Sequence, residues 1–520
     1  MAIRTIVKPL PLWLANVVAL LSGLAMSVAF PGLGWWPMAF VALFGLLWSL
    51  LGRSVWTGAV VGVVFGATMW LALINWLTLY LGPTPWIALA VTEALYITVA
   101  TALITIPLNR ATSPYESNPW RIQACVLTVA GMWVAHEALA SVWPWGGFSW
   151  GRTGMSQASG PFATSASWIG ISGISFVTIW LVTASMVTLA RPSRHRKLVI
   201  VLPAAVLALL ALIVPLYPTA YRGSTTISAV QANTRSGLFD EVSPGDNLAK
   251  NVDATLKFVR NPTDLVVWPE NAADLDPLES AYAMNVLTSL SDRYQAPFLV
   301  GTITKNASGQ YFNSSLLISQ GTVRAQYDKV HPVPFAEYMP ARDFFHALVP
   351  DLVDMVWRDY TPGTRNNVVT AGRARLGLAI CFDIVDDQLI YNMLVNQADV
   401  IVAQTNNADF GTTVEHLQQL DIARLRAIET GRYVVNVSTV GTTAVIAPDG
   451  SLSQSLPAHA PGAITASVPL AQSNPPGLVV GRTLELGLSA FALAWVLVLL
   501  FEFKRRTRPN EVSRRGHSDR

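Results

Sequence analysis

The chain has 520 residues, of which 52% are hydrophobic and only 13% charged, and its mean hydropathy is +0.41. That balance excludes an ordinary soluble globular protein and predicts one embedded in a bilayer. The net charge of +3 comes largely from basic residues flanking apolar runs, so it speaks of membrane orientation and gives no case for nucleic-acid binding.

A hydrocarbon core about 30 Å thick takes roughly 20 apolar residues in a helix. Eight runs of suitable length begin near Leu12, Trp36, Trp56, Trp86, Ile122, Pro161, Leu198 and Leu484, which predicts a multi-pass α-helical membrane domain of eight spans. The first run follows Arg4 and Lys8, but no convincing small-x-small cleavage site follows it, so it reads as an uncleaved span. Arg4, Lys8, Arg53, Arg110, Arg121, the cluster Arg191, Arg194, Arg196 and Lys197, and the tail residues Lys504, Arg505, Arg506 and Arg508 fall on one side of the alternating topology. The connections around Gly32 and Gly82 carry no Lys or Arg, and the one from Trp143 to Gly160 carries only Arg152. Because Lys and Arg accumulate in cytoplasmic loops, both termini are expected in the cytoplasm. The expected organisation is a membrane domain of seven helices over 1–216, an extracytoplasmic domain over 217–481, an eighth membrane helix over 482–503 and a basic cytoplasmic tail over 504–520. In a bacterium the host would be the cytoplasmic (inner) membrane.

The polar segment is long enough to bury its own core. Strand-like runs span Thr226 to Gln231, Asp264 to Trp268, Phe298 to Thr302, Ser314 to Ser319, Leu376 to Cys381 and Val400 to Thr405. Helix-like runs span Asn247 to Val259, Ala281 to Tyr294, Asp387 to Val395 and Glu415 to Gly431. The alternation predicts an α/β layered domain with helices outside the sheets.

Of the two cysteines, Cys125 lies within an apolar, membrane-length run, whereas Cys381 ends a strand-like stretch in the polar domain, where it has no ready disulfide partner. Such a thiol is either a small buried hydrophobe or a nucleophile. Two other strand ends carry titratable residues: Trp268-Pro-Glu270, and Tyr327-Asp-Lys329 with His331-Pro-Val-Pro-Phe-Ala-Glu337 behind it. A glutamate, a lysine and a cysteine are the set that acyl transfer through a thiol requires. A thiol with an ordinary pKa of about 8.5 needs a base or a nearby cation to become a good nucleophile, and an ammonium also steadies the oxyanion formed on attack.

These motifs in this order resemble the nitrilase (carbon-nitrogen hydrolase) superfamily, and with the apolar runs the chain is similar to its apolipoprotein N-acyltransferase branch. Further matching segments are Gln231-Ala-Asn233, Tyr311-Phe-Asn313-Ser, Thr405-Asn406, Arg424-Leu-Arg426-Ala-Ile-Glu429-Thr-Gly431-Arg432 and Gly441-Thr-Thr-Ala-Val-Ile-Ala-Pro448-Asp449-Gly450. The resemblance implies an αββα sandwich, a triad carried by Glu270, Lys329 and Cys381, and a supporting glutamate at Glu337. It also implies a phospholipid acyl donor, a cysteine thioester, and a diacylated apolipoprotein whose N-terminal amine is the acceptor. Two departures stand out. Members commonly have Cys-Tyr-Glu where this chain has Cys381-Phe382-Asp383, and an aromatic where it has Asp409 before Phe410-Gly411.

Several residues carry two readings. Asn313 either holds the loop near Lys329 or is a plain turn residue, and Asp383 keeps an acid beside the thiol. Arg424, Arg426 and Glu429 read as a salt-bridged helical face. Asn75, Glu93, His136 and Glu137 lie within apolar runs, where charge is costly, and either border a lipid-holding cavity or make helix–helix hydrogen bonds. Phe344, Phe345, Leu348, Val349, Leu352, Val353 and Trp357 suit an arm that dips into the membrane interface and guards the acyl entrance, with Phe382 beside the thiol; an ordinary buried helix is the competing reading. No metal-ligand spacing or nucleotide fingerprint is present, so no metal or cofactor is expected. The chain is expected to act as a monomer. The rival to acyl transfer is a membrane-anchored amidase or nitrilase that passes its acyl group to water; a transporter with a catalytically dead external domain is the non-enzymatic one.

Overall fold

The computed structural model describes residues 8–191, 194–234, 236–237, 240 and 242–507; Arg4 and the tail from Arg508 onward lie outside the described residues. The first part of the chain is helical: α1 (Leu12–Val28), α2 (Pro37–Leu50), α3 (Val55–Leu73), α4 (Leu77–Leu81), α5 (Pro83–Thr112), α6 (Pro119–Ala140), α7 (Ala166–Ala190) and α8 (Arg194–Ile213). Proline opens α2, α5 and α6, where its missing N–H would have had no partner anyway, and the side chains of Ser54 and Asn118 cap α3 and α6. Among the described residues, five helices are long and apolar enough to cross a membrane: Val55–Leu73, Pro83–Thr112, Pro119–Ala140, Ala163–Ala190 and Gly477–Arg505. Three shorter apolar helices, Leu12–Val28, Pro37–Leu50 and Val201–Ile213, occupy the remaining expected runs.

The polar segment folds as β1 (Tyr221–Gln231), α9 (Asp246–Phe258), β2 (Leu265–Val267), α10 (Ala281–Tyr294), β3 (Phe298–Lys305), β4 (Tyr311–Ser319), β5 (Thr322–Asp328), α11 (Arg342–His346), α12 (Pro350–Met355), β6 (Val368–Ala371), β7 (Ala374–Ile380), α13 (Asp387–Val395), β8 (Val400–Thr405), α14 (Glu415–Thr430), β9 (Val434–Ser438), β10 (Ala444–Ile446), β11 (Leu452–Ser455) and β12 (Gly462–Ala471). Two six-stranded sheets result, ordered β12-β1-β2-β3-β4-β5 and β11-β10-β9-β8-β7-β6. The period of two along the strands sorts the layers. Ile227, Leu265, Val267, Leu299 and Leu317 of the first sheet share a core with Leu376, Leu378 and Val402 of the second. Val230, Val266, Phe298, Val300, Leu316 and Ile318 instead pack on Leu248, Leu287 and Leu290 of α9 and α10. With α13 and α14 against the second sheet this is an αββα sandwich.

The last helix, α15 (Gly477–Thr507), starts ahead of the expected residue 482. Its first turns lie hard against α7, which breaks at Gly170, where φ is +68°. A Cβ on Gly170 would sit 2.6 Å from the Gly477 carbonyl oxygen and 3.0 Å from Glu429 Oε1, so only glycine fits. The break frees the N–H of Ile171, which donates 3.1 Å to Glu429 Oε1.

The helical face of α14 read as salt-bridged does carry ion pairs, but part of it is buried. Arg424 does pair with Asp421 near the surface, at 2.7 Å. Arg426 and Glu429 pair at 2.6 Å but are 0% and 2% exposed, because α7 and α15 cover that face. Arg426 also holds Asp387 at 2.6 Å, and Asp387 takes Arg152 at 2.8 Å. Arg152 then reaches Ser172 and Glu485 of α7 and α15. The lone arginine of its loop is thus a link in a largely buried chain of charges, from Glu429 through Arg426 and Asp387 to Glu485, that ties the sandwich to the helices.

Candidate active site

Cys381 is the first residue past β7 and has φ of +50°, a left-handed conformation that costs a non-glycine residue on the order of 1 kcal/mol or more. The turn is held from across the sandwich. Asp383 Oδ2 accepts from the backbone N–H of Ile380 at 3.1 Å and from the hydroxyl of Tyr327, on β5, at 2.8 Å. Burial pushes the Asp383 carboxyl up to about 6. Phe382 leaves the turn to stack on Phe148 and Trp150 of the loop between α6 and α7, with centroids 5.6 and 6.2 Å away and planes within 8°. The departure from Cys-Tyr-Glu therefore places an apolar ring in an aromatic stack and a shorter acid in contact with a tyrosine.

Glu270 follows β2, pressed on β3 at Gly301, where a Cβ would lie 2.3 Å from the Pro269 carbonyl oxygen. Gln404 of the second sheet ties this strand end by donating 2.6 Å to the Trp268 carbonyl. Asn313 stands in β4 rather than in a turn, because its neighbours pair with both β3 and β5, and its amide serves two carboxylates. Asn313 Nδ2 donates to Glu270 Oε1 at 2.7 Å and to Glu337 Oε1 at 2.9 Å. Lys329 Nζ lies 2.7 Å from Glu337 Oε2 and 3.8 Å from Glu270 Oε1. Glu337 Oε2 also accepts from the N–H of Val333 at 2.6 Å. Glu270 Oε2 is buried with no hydrogen-bond partner among the described residues.

The charges follow from this geometry. Burial pushes the Glu270 carboxyl up to about 7, against the pull of Lys329. Burial alone would discharge Lys329, but the carboxylates of Glu337 and Glu270 hold it above the ordinary lysine value. Burial also pushes the Cys381 thiol well above its usual range; Glu270 adds to this and Lys329 opposes it. The resting arrangement is a neutral thiol beside a carboxyl poised near neutrality and a fixed ammonium.

Two neighbours of the thiol were not read from the sequence. Gln419 Nε2 reaches Cys381 Sγ at 3.7 Å, and Glu415, one helical turn earlier on α14, lines the same space. Their i, i+4 spacing behind the Thr405-Asn406 segment was the available signal.

The thiol opens into a cavity of about 1070 Å³ that also reaches Leu77, Leu89 and Glu93 of α4 and α5. Phe345, Trp357, Val353 and Phe382 line it; Phe344 and Glu137 do not. Glu137 instead accepts 2.9 Å hydrogen bonds from Trp133 Nε1 and the N–H of Thr153, beside a small separate pocket with His136. Asn75 is exposed and lies off the cavity. The α11–α12 arm is held by Phe345, which packs edge-on to Trp145 and Phe335 with centroids 6.0 and 5.0 Å apart. Val353 and Val356 are buried beneath it, while Phe344, Leu348 and Trp357 are 62%, 63% and 70% exposed. The arm is neither fully buried nor free.

A carbon-nitrogen hydrolase sandwich opening toward apolar helices defines a class of acyl-transfer enzymes working beside a lipid phase. The family model for carbon-nitrogen hydrolase matches residues 226–475, and that for the apolipoprotein N-acyltransferase N-terminal domain matches residues 22–184. The chain is similar to an apolipoprotein N-acyltransferase of Mycolicibacterium smegmatis, 30% identical over 468 residues covering 82% of this chain and 75% of the relative. It is 29% identical to one of Azotobacter vinelandii over 525 residues, covering 94% of this chain and 96% of that one. The chain belongs to the apolipoprotein N-acyltransferase family, and it is an N-acyltransferase rather than a hydrolase.

Proposed function

We propose that this enzyme moves an acyl chain from a membrane phospholipid, through a thioester on Cys381, to the α-amino group of the diacylglyceryl-modified N-terminal cysteine of an apolipoprotein. Glu270 takes the thiol proton on its open oxygen as the sulfur attacks the ester carbonyl, and Lys329 steadies the oxyanion. Because the thiol lies far above Glu270 in pKa, the proton moves in the transition state and no stable thiolate precedes attack. Collapse expels the lysophospholipid alkoxide, which takes the proton from Glu270. The amine then attacks the thioester and the thiol is regenerated. Asn313 and Glu337 hold Glu270 and Lys329 in register, and Asp383 fixes the turn that carries the sulfur.

The observation that carries this reading is the cavity shared by Cys381 and the apolar helices, because an acyl donor in a bilayer has to reach the sulfur without leaving an apolar environment. Phe345, Trp357 and Glu93 are wall residues for the lipid substrates. The eight apolar helices cross the membrane, with 1–216 and 482–503 as membrane segments; α2, at 14 residues, covers only about 21 Å and needs its flanking turns to span. The sandwich faces out of the cytoplasm, both termini lie inside it, the host membrane is the bacterial inner membrane, and the enzyme works as a monomer. The test supplies purified protein with acyl-labelled phospholipid and a diacylated lipopeptide. Label on the peptide amine, with an acyl adduct on Cys381 seen by intact mass, supports the reading; label released to water, or turnover without an adduct, overturns it.

A further inference from the structure

One carboxyl beside the thiol has no part in the chemistry above. Glu415 is 2% exposed, yet it lines the cavity with Cys381 and Gln419. Its Oε2 accepts from Asn407 Nδ2 at 2.8 Å, and the same nitrogen donates to Gln419 Oε1 at 3.0 Å. Asn407 is locked in turn, since its Oδ1 accepts from Ser438 Oγ at 2.5 Å. Glu415 and Gln419 therefore stand side by side, and Gln419 touches the sulfur. Asn407 is the only hydrogen-bond partner of Glu415 among the described residues, and no cation pairs with it there. The charges it feels are those of Glu270 and Asp409, both acidic, while Lys329 is taken by Glu337 and Glu270. His416 beside it turns to Thr442. A buried carboxyl without a cation is costly, and this one faces the cavity from α14, the helix packed on the sheet that leads into Cys381, whereas Glu270 follows a strand of the other sheet.

We infer that Glu415 receives the acceptor's α-ammonium group and removes its first proton, so that the amine meets the Cys381 thioester uncharged. This rests on the two-step acyl transfer proposed above. An ammonium carries no lone pair, so a protonated N-terminus cannot attack. Glu415 gives its resting proton to solvent as the ammonium docks against it, then takes one proton from that ammonium, and the amine nitrogen bonds to the thioester carbonyl carbon. Glu270, left as a carboxylate by the first step, takes the second proton from that nitrogen and passes it to the sulfur as the C–S bond breaks. The products are the amide and the free thiol, and Glu415 is left protonated, as it began. An α-amino group titrates at about 7.7–8.0, and burial pushes Glu415 up to about 8, so the transfer is close to balanced.

The test loads full-length Glu415→Gln and wild-type enzyme with phospholipid, then follows decay of the thioester; rates taken from loaded enzyme exclude any change in loading. The acceptors are a diacylated lipopeptide and hydroxylamine, a nucleophile already uncharged at neutral pH. Because about a tenth of such an amine is already uncharged at pH 7, transfer to the lipopeptide is expected to fall about tenfold there and to recover as pH rises past 8, while cleavage by hydroxylamine stays within about threefold of wild type. Glu415→Asp, which keeps the carboxyl, is expected to retain at least about half of wild-type transfer. Equal loss toward both acceptors, equal loss in the Asp and Gln variants, or lipopeptide transfer by Glu415→Gln within threefold of wild type overturns the inference. Absence of a thioester in wild-type enzyme overturns the two-step reading instead.

Discussion

Glu270→Gln separates the role of the base from the architecture around it. The amide keeps an oxygen for Asn313 Nδ2, now 2.7 Å from Oε1, and Lys329 keeps its 2.7 Å contact with Glu337, so the loops around the thiol should stay in place. What is lost is the open acceptor Oε2. With the thiol held well above its usual range, attack without a base draws on a minute thiolate fraction, and removing a positioned base costs about 10²–10⁴-fold in rate, or roughly 3–5 kcal/mol of barrier. Wild-type acylation should also fall about tenfold per pH unit below about 7, because a protonated Glu270 accepts nothing, and the variant should lose that limb. Intact mass spectrometry after rapid mixing with phospholipid measures adduct formation directly. Acylation of Glu270→Gln within threefold of wild type, or an unchanged acidic limb, would refute the assignment.

Six of the twelve strands (β1 to β4, β7 and β8), the helices α9, α10, α13 and α14, and the three titratable strand ends were legible in the sequence, because strand periodicity and local motif order carry them. Asn313 was not, since an Asn before two serines says nothing about which strands will flank it, and only the pairing of β4 with β3 and β5 puts its amide between two carboxylates. The burial of Arg426 and Glu429 was hidden for a similar reason: an i, i+3 pair looks the same on a solvated face as on one covered by α7 and α15. Glu93 and Glu137 looked alike as acids in apolar runs, and only the packing of the loop at Thr153 on α6 commits Glu137 to structure.

Three further perturbations test the packing and the charges. Arg426→Met removes the cation shared by Asp387 and Glu429; Asp387 keeps Arg152, but Glu429 is left buried without a cation, so thermal denaturation in detergent should show a loss of about 3–5 kcal/mol, and a change in Tm too small to resolve would mean that the chain of charges is not a staple. Phe345→Ala loosens the arm from Trp145 and Phe335, and it should raise KM for phospholipid several-fold with little change in kcat; an unchanged KM would detach the arm from donor binding. Stability should also depend on pH, with a sign fixed by the shifts. Asp383, Glu270 and Glu415 have folded values raised to about 6, 7 and 8, so the folded protein keeps protons that the unfolded chain has lost. Their contribution is fully present below the ordinary carboxylate values and is lost as pH rises through 6, 7 and 8, each group costing about 1.4 kcal/mol per pH unit across its own window. Asp387, held low by Arg152 and Arg426 against the cost of its burial, acts in the opposite sense but at far more acid pH. Tm should therefore decline between pH 5 and pH 8, and Glu415→Gln, which has no proton to lose, should flatten the upper part of the decline. A Tm that rises over that range, or a Glu415→Gln profile parallel to wild type, would mean that Glu415 is not buried as a carboxyl without a cation.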